Sequence, residues 1–138
     1  MGRVTVKIKV ENVVDLGLVQ RKQLLAKEVR SEELEALVDT GATLLCLPRA
    51  IIEKLAIFPI GTCKAETANG MVTRELFEAV RLTIMGRKCD VNVVEVSSDG
   101  SSLVGYIPLE ALDFVVDPKA QKLIPNPKHH GEMVLDLY

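Results

Sequence analysis

The chain contains no tryptophan, and its aromatic residues are only Tyr106, Tyr138, Phe58, Phe77 and Phe114. So few rings leave no platform on which nucleic-acid bases could stack. Lysine and arginine form no stripe, and 17 of them against 19 acidic residues give a formal net charge of −2. The electrostatic footprint of a nucleic-acid binder is therefore missing, and no nucleic-acid partner is expected. No apolar run approaches the roughly 20 residues that cross a bilayer, and Met1-Gly2-Arg3-Val4-Thr5-Val6-Lys7 alternates instead of forming a signal-peptide core. The expectation is a soluble, cytoplasmic protein with no membrane partner. Cysteine is scarce: Cys46, Cys63 and Cys89 are odd in number, widely spaced and set in apolar or strand-like contexts. Reduced core thiols fit that pattern better than a disulfide framework. There is no CxxC pair, and His129-His130 are adjacent, so their side chains point apart. Phosphate-cradling GxxxxGK and GxGxxG signatures are absent, which leaves nucleotide enzymes without support. Neither a metal nor a cofactor is expected.

What is present is strand-forming sequence. At 138 residues, 48% of them hydrophobic, the chain is long enough for one sizeable core, and a single domain over 1–138 is expected. Val4, Val6, Ile8 and Val10 alternate with Thr5, Lys7 and Lys9, the period-two pattern of a strand with one buried face. Asp15-Leu16-Gly17-Leu18 can turn the chain, and Gln20 to Lys27 suits either a short helix or an irregular strand. Leu34, Ala36 and Val38 alternate again. Thr43 to Leu47 reads as a buried strand, and Pro48 opens a short helix to Leu55, where its missing N–H costs nothing. Cys63 to Thr67 and Met71 to Leu76 flank Ala68-Asn69-Gly70, and Asn-Gly between such segments is a strong hairpin signal. Leu76 to Met85 and Cys89 to Val96 form another expected antiparallel pair around Gly86-Arg87-Lys88. Ser97 to Ser102 is a polar loop. Tyr106 to Leu112 suits a second short helix, and Phe114 to Val116 pairs with Leu123-Ile124. Met133 to Tyr138 is apolar for a free tail and reads as a terminal strand covered by a partner chain or by its own domain.

The stretch around which these elements are arranged is Ala36-Leu37-Val38-Asp39-Thr40-Gly41-Ala42. A carboxylate between two apolar, β-favouring runs is not a solvated surface charge, because its neighbours on both sides belong in a core. The Thr-Gly that follows gives a tight turn that can hold the side chain at a strand end, with Gly41 free to adopt a backbone conformation closed to other residues. This segment resembles the active-site loop of the retropepsin-like aspartic peptidases. The resemblance implies a mostly β fold: a closed, barrel-like acid protease lobe with one or two short helices, one lobe per chain. Only one copy of the loop occurs, so the resemblance also implies a homodimer in which each chain contributes Asp39.

Further roles follow from the same resemblance. Asp39 is the implied catalytic residue, with Thr40, Gly41 and Ala42 supporting the loop. Ala42 stands where many secreted relatives carry serine, which removes a donor to the ionised pair and implies activity at a less acid pH. The hairpin at Asn69, Gly70 and Met71 is the implied substrate-binding flap. Leu103-Val104-Gly105 matches the hydrophobic-hydrophobic-glycine element that passes beneath the Asp loop and braces it. The implied activity is hydrolysis of extended peptide or protein substrates with hydrophobic residues around the cut. Two rival readings compete with it: a non-catalytic dimer of the same fold used for peptide binding or assembly, and a cysteine hydrolase pairing Cys46, Cys63 or Cys89 with His129 or His130.

Overall fold

The first strand follows from its alternation: Ile8 and Val10 are buried, while Lys7 and Lys9 alternate with them, in β1 (Thr5–Asn12). The computed structural model describes residues 3–97 and 100–138. β1 runs antiparallel to β2 (Ser31–Val38), with Thr5 opposite Leu37 and Glu11 opposite Ser31. The sheet continues through β3 (Leu45–Pro48), β4 (Pro59–Thr67), β5 (Gly70–Ile84), β6 (Arg87–Val96) and β7 (Leu103–Val104). Its spatial order is β1-β2-β7-β3-β6-β5-β4, and β5 also pairs with β1, from Lys9 opposite Thr83 to Asn12 opposite Val80. Six strands thus close into a ring, and β4 remains outside it as an edge. The β2–β7 and β3–β6 pairs are parallel and the others antiparallel. This is the mostly β, closed lobe that the resemblance implies.

The ring encloses Val10, Leu45, Leu47, Val80, Leu82, Ile84, Val93 and Val104, none of which has any exposed surface. Each such side chain contributes roughly 1.5–3 kcal/mol by leaving water. Two of the expected helices are present, α2 (Arg49–Leu55) and α3 (Tyr106–Ala111). Ile52 and Leu55 turn α2 toward the core, and Ala56 ends it in a left-handed conformation at φ +53°. A second sheet is the hairpin of β8 (Phe114–Asp117) and β9 (Lys122–Pro125), which pairs Val116 with Leu123 as the sequence suggests.

Several boundaries differ from the sequence reading. β5 is one strand of 15 residues, not two segments meeting at Leu76. A register shift between Phe77 and Ala79 lets its first part pair with β4 and its second part with β1, while β6 spans the join. Such a bulge re-aims a strand without ending it, so no turn signal marks it. The β5–β6 turn is the two residues Met85 and Gly86, at φ +48° and +80°, and β6 already begins at Arg87. Pro48 is the last residue of β3 and the N-cap of α2, not its first helical residue. Of the polar loop from Ser97 to Ser102, Ser98 and Asp99 lie outside the described residues; Gly100 N–H donates to the Ser97 carbonyl at 2.7 Å.

The expected turn at Asp15 to Leu18 lies instead inside a third helix, α1 (Val13–Gln20). Two polar side chains make it one. Asn12 caps the helix by accepting from the Asp15 N–H at 3.0 Å, and its amide donates to the Leu55 carbonyl at 2.8 Å. Asp15 is the buried residue of α1, and its carboxylate accepts from the Arg30 guanidinium at 2.8 and 2.9 Å and from the Arg30 N–H at 2.9 Å. The partner lies 15 residues away, so local sequence shows a charged turn former where the fold has a buried ion pair.

A comparable hub holds the chain after β9. Asp113, 8% exposed and left-handed at φ +60°, accepts from the Val134 N–H at 3.0 Å and the Asn126 amide at 3.3 Å. His129 Nδ1 meets the same carboxylate at 2.5 Å. Arg87 donates to the carbonyls of Leu112, Asp113 and Gly131 and lies over the Phe114 ring. Beyond this tether no strand forms in the single chain, and Leu135, Leu137 and Tyr138 are exposed.

The Arg30 side chain holds the Asp15 carboxyl below its ordinary value of 3.8 despite burial. A depressed acid stabilises the fold above that ordinary value and loses its contribution as pH falls through its folded value. Asp15→Asn is expected to lower the unfolding free energy by about 1 kcal/mol at neutral pH, because Arg30 is half exposed and solvent screens the pair. Urea titrations at a series of pH values check this: the difference from the parent chain should shrink only below about pH 4.

Candidate active site

β2 delivers Asp39 just past its last residue, where the backbone leaves the sheet. The Asp39 N–H donates to the Val104 carbonyl at 3.0 Å, which fixes the carboxylate-bearing residue to β7. The Ala42 N–H then donates to the Asp39 carbonyl at 3.1 Å, closing the turn, and the Gly41 N–H donates to Asp39 Oδ1 at 2.9 Å. A backbone donor thus holds the carboxylate in one orientation. Gly41 is not left-handed, contrary to the expectation from its turn. Its lack of a side chain serves proximity instead, since a Cβ there would stand 3.1 Å from Asp39 Oδ1 and press the carboxylate aside by a few tenths of an ångström. Thr40 is exposed in the single chain.

The segment 102–107 crosses beneath this loop and bonds to both of its limbs. On one side, Leu37 N–H donates to the Ser102 carbonyl at 2.8 Å, and Asp39 N–H to that of Val104. On the other, Gly105 N–H donates to the Leu44 carbonyl at 2.8 Å, Tyr106 N–H to Ala42 at 2.9 Å and Ile107 N–H to Thr43 at 3.1 Å. Leu103, Val104 and Gly105 therefore lie directly against the Asp loop. The approach at Gly105 is so close that an added Cβ would fall 2.6 Å from the Ala42 carbonyl oxygen, and nearer still to that of Leu44.

Asp39 opens onto a cleft of about 890 Å³. Its floor includes Gly41, Ala42 and Leu44, and its walls are β3, β4, the end of β6 and the start of β7. The hairpin expected between Thr67 and Met71 forms, but Gly70 pairs with Thr67, so the loop proper is Ala68-Asn69. Positive φ falls on Gly70 alone, at +105°, and the Thr67 hydroxyl donates to the Gly70 carbonyl at 2.8 Å. Asn69, Gly70 and Met71 stand exposed at the hairpin tip, outside the lining of the cleft in this single chain. The hairpin residues that line it are Cys63 to Thr67 of β4 and Arg74 of β5. Sequence reasoning missed them, although alternation of Cys63, Ala65 and Thr67 on one face was available as a signal.

Two thiols expected in the core are cleft residues instead. Cys46 and Cys63 both line the cavity that holds Asp39. Burial pushes the Cys46 thiol up to about 11, helped by the negative charges of Asp39 and Cys63 beside it. Cys46 is therefore a protonated, weak nucleophile at neutral pH. Neither histidine borders the cleft, and His129 is engaged with Asp113, so the cysteine-hydrolase reading finds no assembled pair. At the cleft wall Glu95 holds Arg49 in a two-pronged ion pair at 2.6 and 2.9 Å.

A carboxylate at a strand end, crossed by a glycine-containing segment and faced by a projecting hairpin, is the construction of one lobe of a retropepsin-like aspartic peptidase. Residues 26–111 match the family model described as "gag-polyprotein putative aspartyl protease", and the chain belongs to that retroviral-type aspartyl protease family. The solution structure of Simian Foamy Virus (mac) protease is similar, with 20% sequence identity over 76% of this chain and 90% of that one and a TM-score of 0.48. No curated protein matches. α1 and the tail beyond α3 lie outside the span matched by the family.

The crossing predicts a contrast between two glycines. Gly105→Ala is expected to cost about 1–3 kcal/mol, because the methyl group meets the backbone of Ala42, Thr43 and Leu44 and cannot be relieved by a rotamer change. Gly17→Ala, in α1 with open space around it, is expected to be neutral or to stabilise by up to about 1 kcal/mol. Denaturant midpoints at constant slope read both effects.

Proposed function

We propose that the protein is an aspartic endopeptidase, active as a homodimer over a single domain spanning 1–138. The observation that carries this reading is Asp39 itself: one carboxylate, oriented by the Gly41 N–H and opening onto a cleft of about 890 Å³. One chain supplies half of the machinery, and a second copy related by a two-fold axis would supply the other Asp39. The exposed Thr40 on the open side of the loop supports such a meeting of loops. So do the exposed apolar residues of the tail, which a partner chain would cover.

In the dimer two carboxylates within hydrogen-bonding distance share one proton, because both cannot ionise comfortably. The ionised Asp39 takes a proton from a water molecule as it attacks the peptide carbonyl. The protonated Asp39 of the second chain polarises that carbonyl, and the pair later returns a proton to the leaving nitrogen. Gly41 and Ala42 hold the loop in position, and Leu103, Val104 and Gly105 brace it from beneath. The hairpin at Asn69, Gly70 and Met71 closes over an extended substrate, which binds as an added strand. Leu37, Leu44, Val94 and Leu103 line the cleft and support a preference for hydrophobic residues around the cut. Unpaired cysteines support a reducing, cytoplasmic setting.

Asp39→Asn is expected to lower cleavage of a peptide library by about 100-fold or more, since it removes the general base. Sedimentation velocity should show the dimer unchanged. Undiminished turnover in the variant removes the catalytic assignment, and dimerisation with no cleavage by either chain leaves the peptide-binding alternative in its place.

A further inference from the structure

The peptidase reading gives no role to the two thiols in the cleft. Cys46 lies on β3, between the fully buried Leu45 and Leu47, and its side chain therefore points away from the core and into the cavity. Cys63 lies on β4, on the face that also carries Ala65 and Thr67 into the cleft. The two are 17 residues apart in a chain that turns through α2 between them, and they reach the same cavity from different strands. Cys63 is near enough to Cys46 for its charge to help raise the Cys46 thiol. Their strands differ in compliance. β3 is held in the ring between β6 and β7, whereas β4 is the sheet edge, bonded only to β5 and largely exposed. A disulfide tolerates only a narrow range of Cα separations, and β6 and β5 lie between the two strands in the sheet, so the cross-link requires the exposed edge strand to be drawn over the cleft toward the fixed one.

We propose that Cys46 and Cys63 form a redox-sensitive dithiol, which low-molecular-weight disulfides such as glutathione disulfide oxidise to a cross-link that pins β4 across the cleft beside Asp39. The exchange takes two steps. The Cys63 thiolate attacks one sulfur of glutathione disulfide, forming a mixed disulfide and releasing one glutathione thiolate. Cys46 then gives its proton to solvent and attacks Cys63 Sγ, forming the protein disulfide and releasing the second glutathione. Two protein thiols lose two electrons and two protons, and one glutathione disulfide becomes two thiols. The order follows from access: Cys63 sits on the exposed edge, while burial keeps the Cys46 thiol protonated. The bond would tether the base of the hairpin to the floor of the cavity, so a peptide could no longer enter between them.

The test uses the full chain treated with glutathione disulfide and then analysed by intact mass and by non-reducing digestion. The expected result is a loss of two hydrogen atoms and a peptide joining Cys46 to Cys63, both reversed by dithiothreitol. Cys46→Ser should stop the reaction at a glutathione adduct on Cys63. Asp39→Asn should form the same cross-link, at least as readily because a charge opposing Cys46 ionisation is gone, so the readout stands whether or not the protein cleaves peptides. If the parent cleaves peptides, cross-linking should abolish cleavage and dithiothreitol should restore it. Separate glutathione adducts with no internal bond, a bond through Cys89 or between chains, or full cleavage by the cross-linked protein would each overturn the proposal.

Discussion

The passage of residues 102–107 beneath the Asp loop is the constraint on which the site depends. One strand end and one loop limb, joined by the turn bond from Ala42 N–H to the Asp39 carbonyl, are each bonded to that segment, through Val104 on one side and Gly105 on the other. The loop therefore has no freedom to spread, and Asp39 is fixed by backbone atoms instead of by the packing of its own side chain. Backbone positioning of this kind is insensitive to changes in neighbouring side chains but intolerant of any atom added at the crossing, where a Cβ on Gly105 would overlap three backbone groups.

The same crossing explains the architecture of the sheet. β7 is only two residues long, yet it is parallel to β2 and antiparallel to β3, and without it the ring would open between those strands. Closing the ring buries the inward side chains of its strands and leaves β4 with its hairpin as the exposed edge of the sheet. A backbone-fixed Asp39 and an exposed edge strand beside it thus arise from one topology, in which the strand excluded from the ring contributes a wall of the cleft.

Much of this was legible in the chain. The alternation of Val80, Leu82 and Ile84, the aspartate between apolar runs, and the Pro-led helices at Arg49 and Tyr106 depend on interactions within a few residues. What could not be read depends on partners far away. Asp15 looks like a turn former until Arg30 is brought beside it, and Leu76 looks like a strand boundary because a bulge carries no residue signature. The cysteines were misplaced for a related reason: an apolar residue with apolar neighbours looks buried, but alternation across the sheet sends Cys46 to the opposite face from Leu45 and Leu47.

The tether at Asp113 gives the C-terminal stretch two distinct parts. From Asn126 to Val134 the chain supplies the donors that make a nearly enclosed carboxylate tolerable, so these residues belong to the folded body as much as any strand does. The last four residues extend past that anchor point, with the greasy side chains of Leu135, Leu137 and Tyr138 facing water. A short arm mounted on a fixed pivot loses little orientational entropy when it finds a surface, so whatever it meets can hold it with fewer contacts than a floppy terminus of the same composition would need.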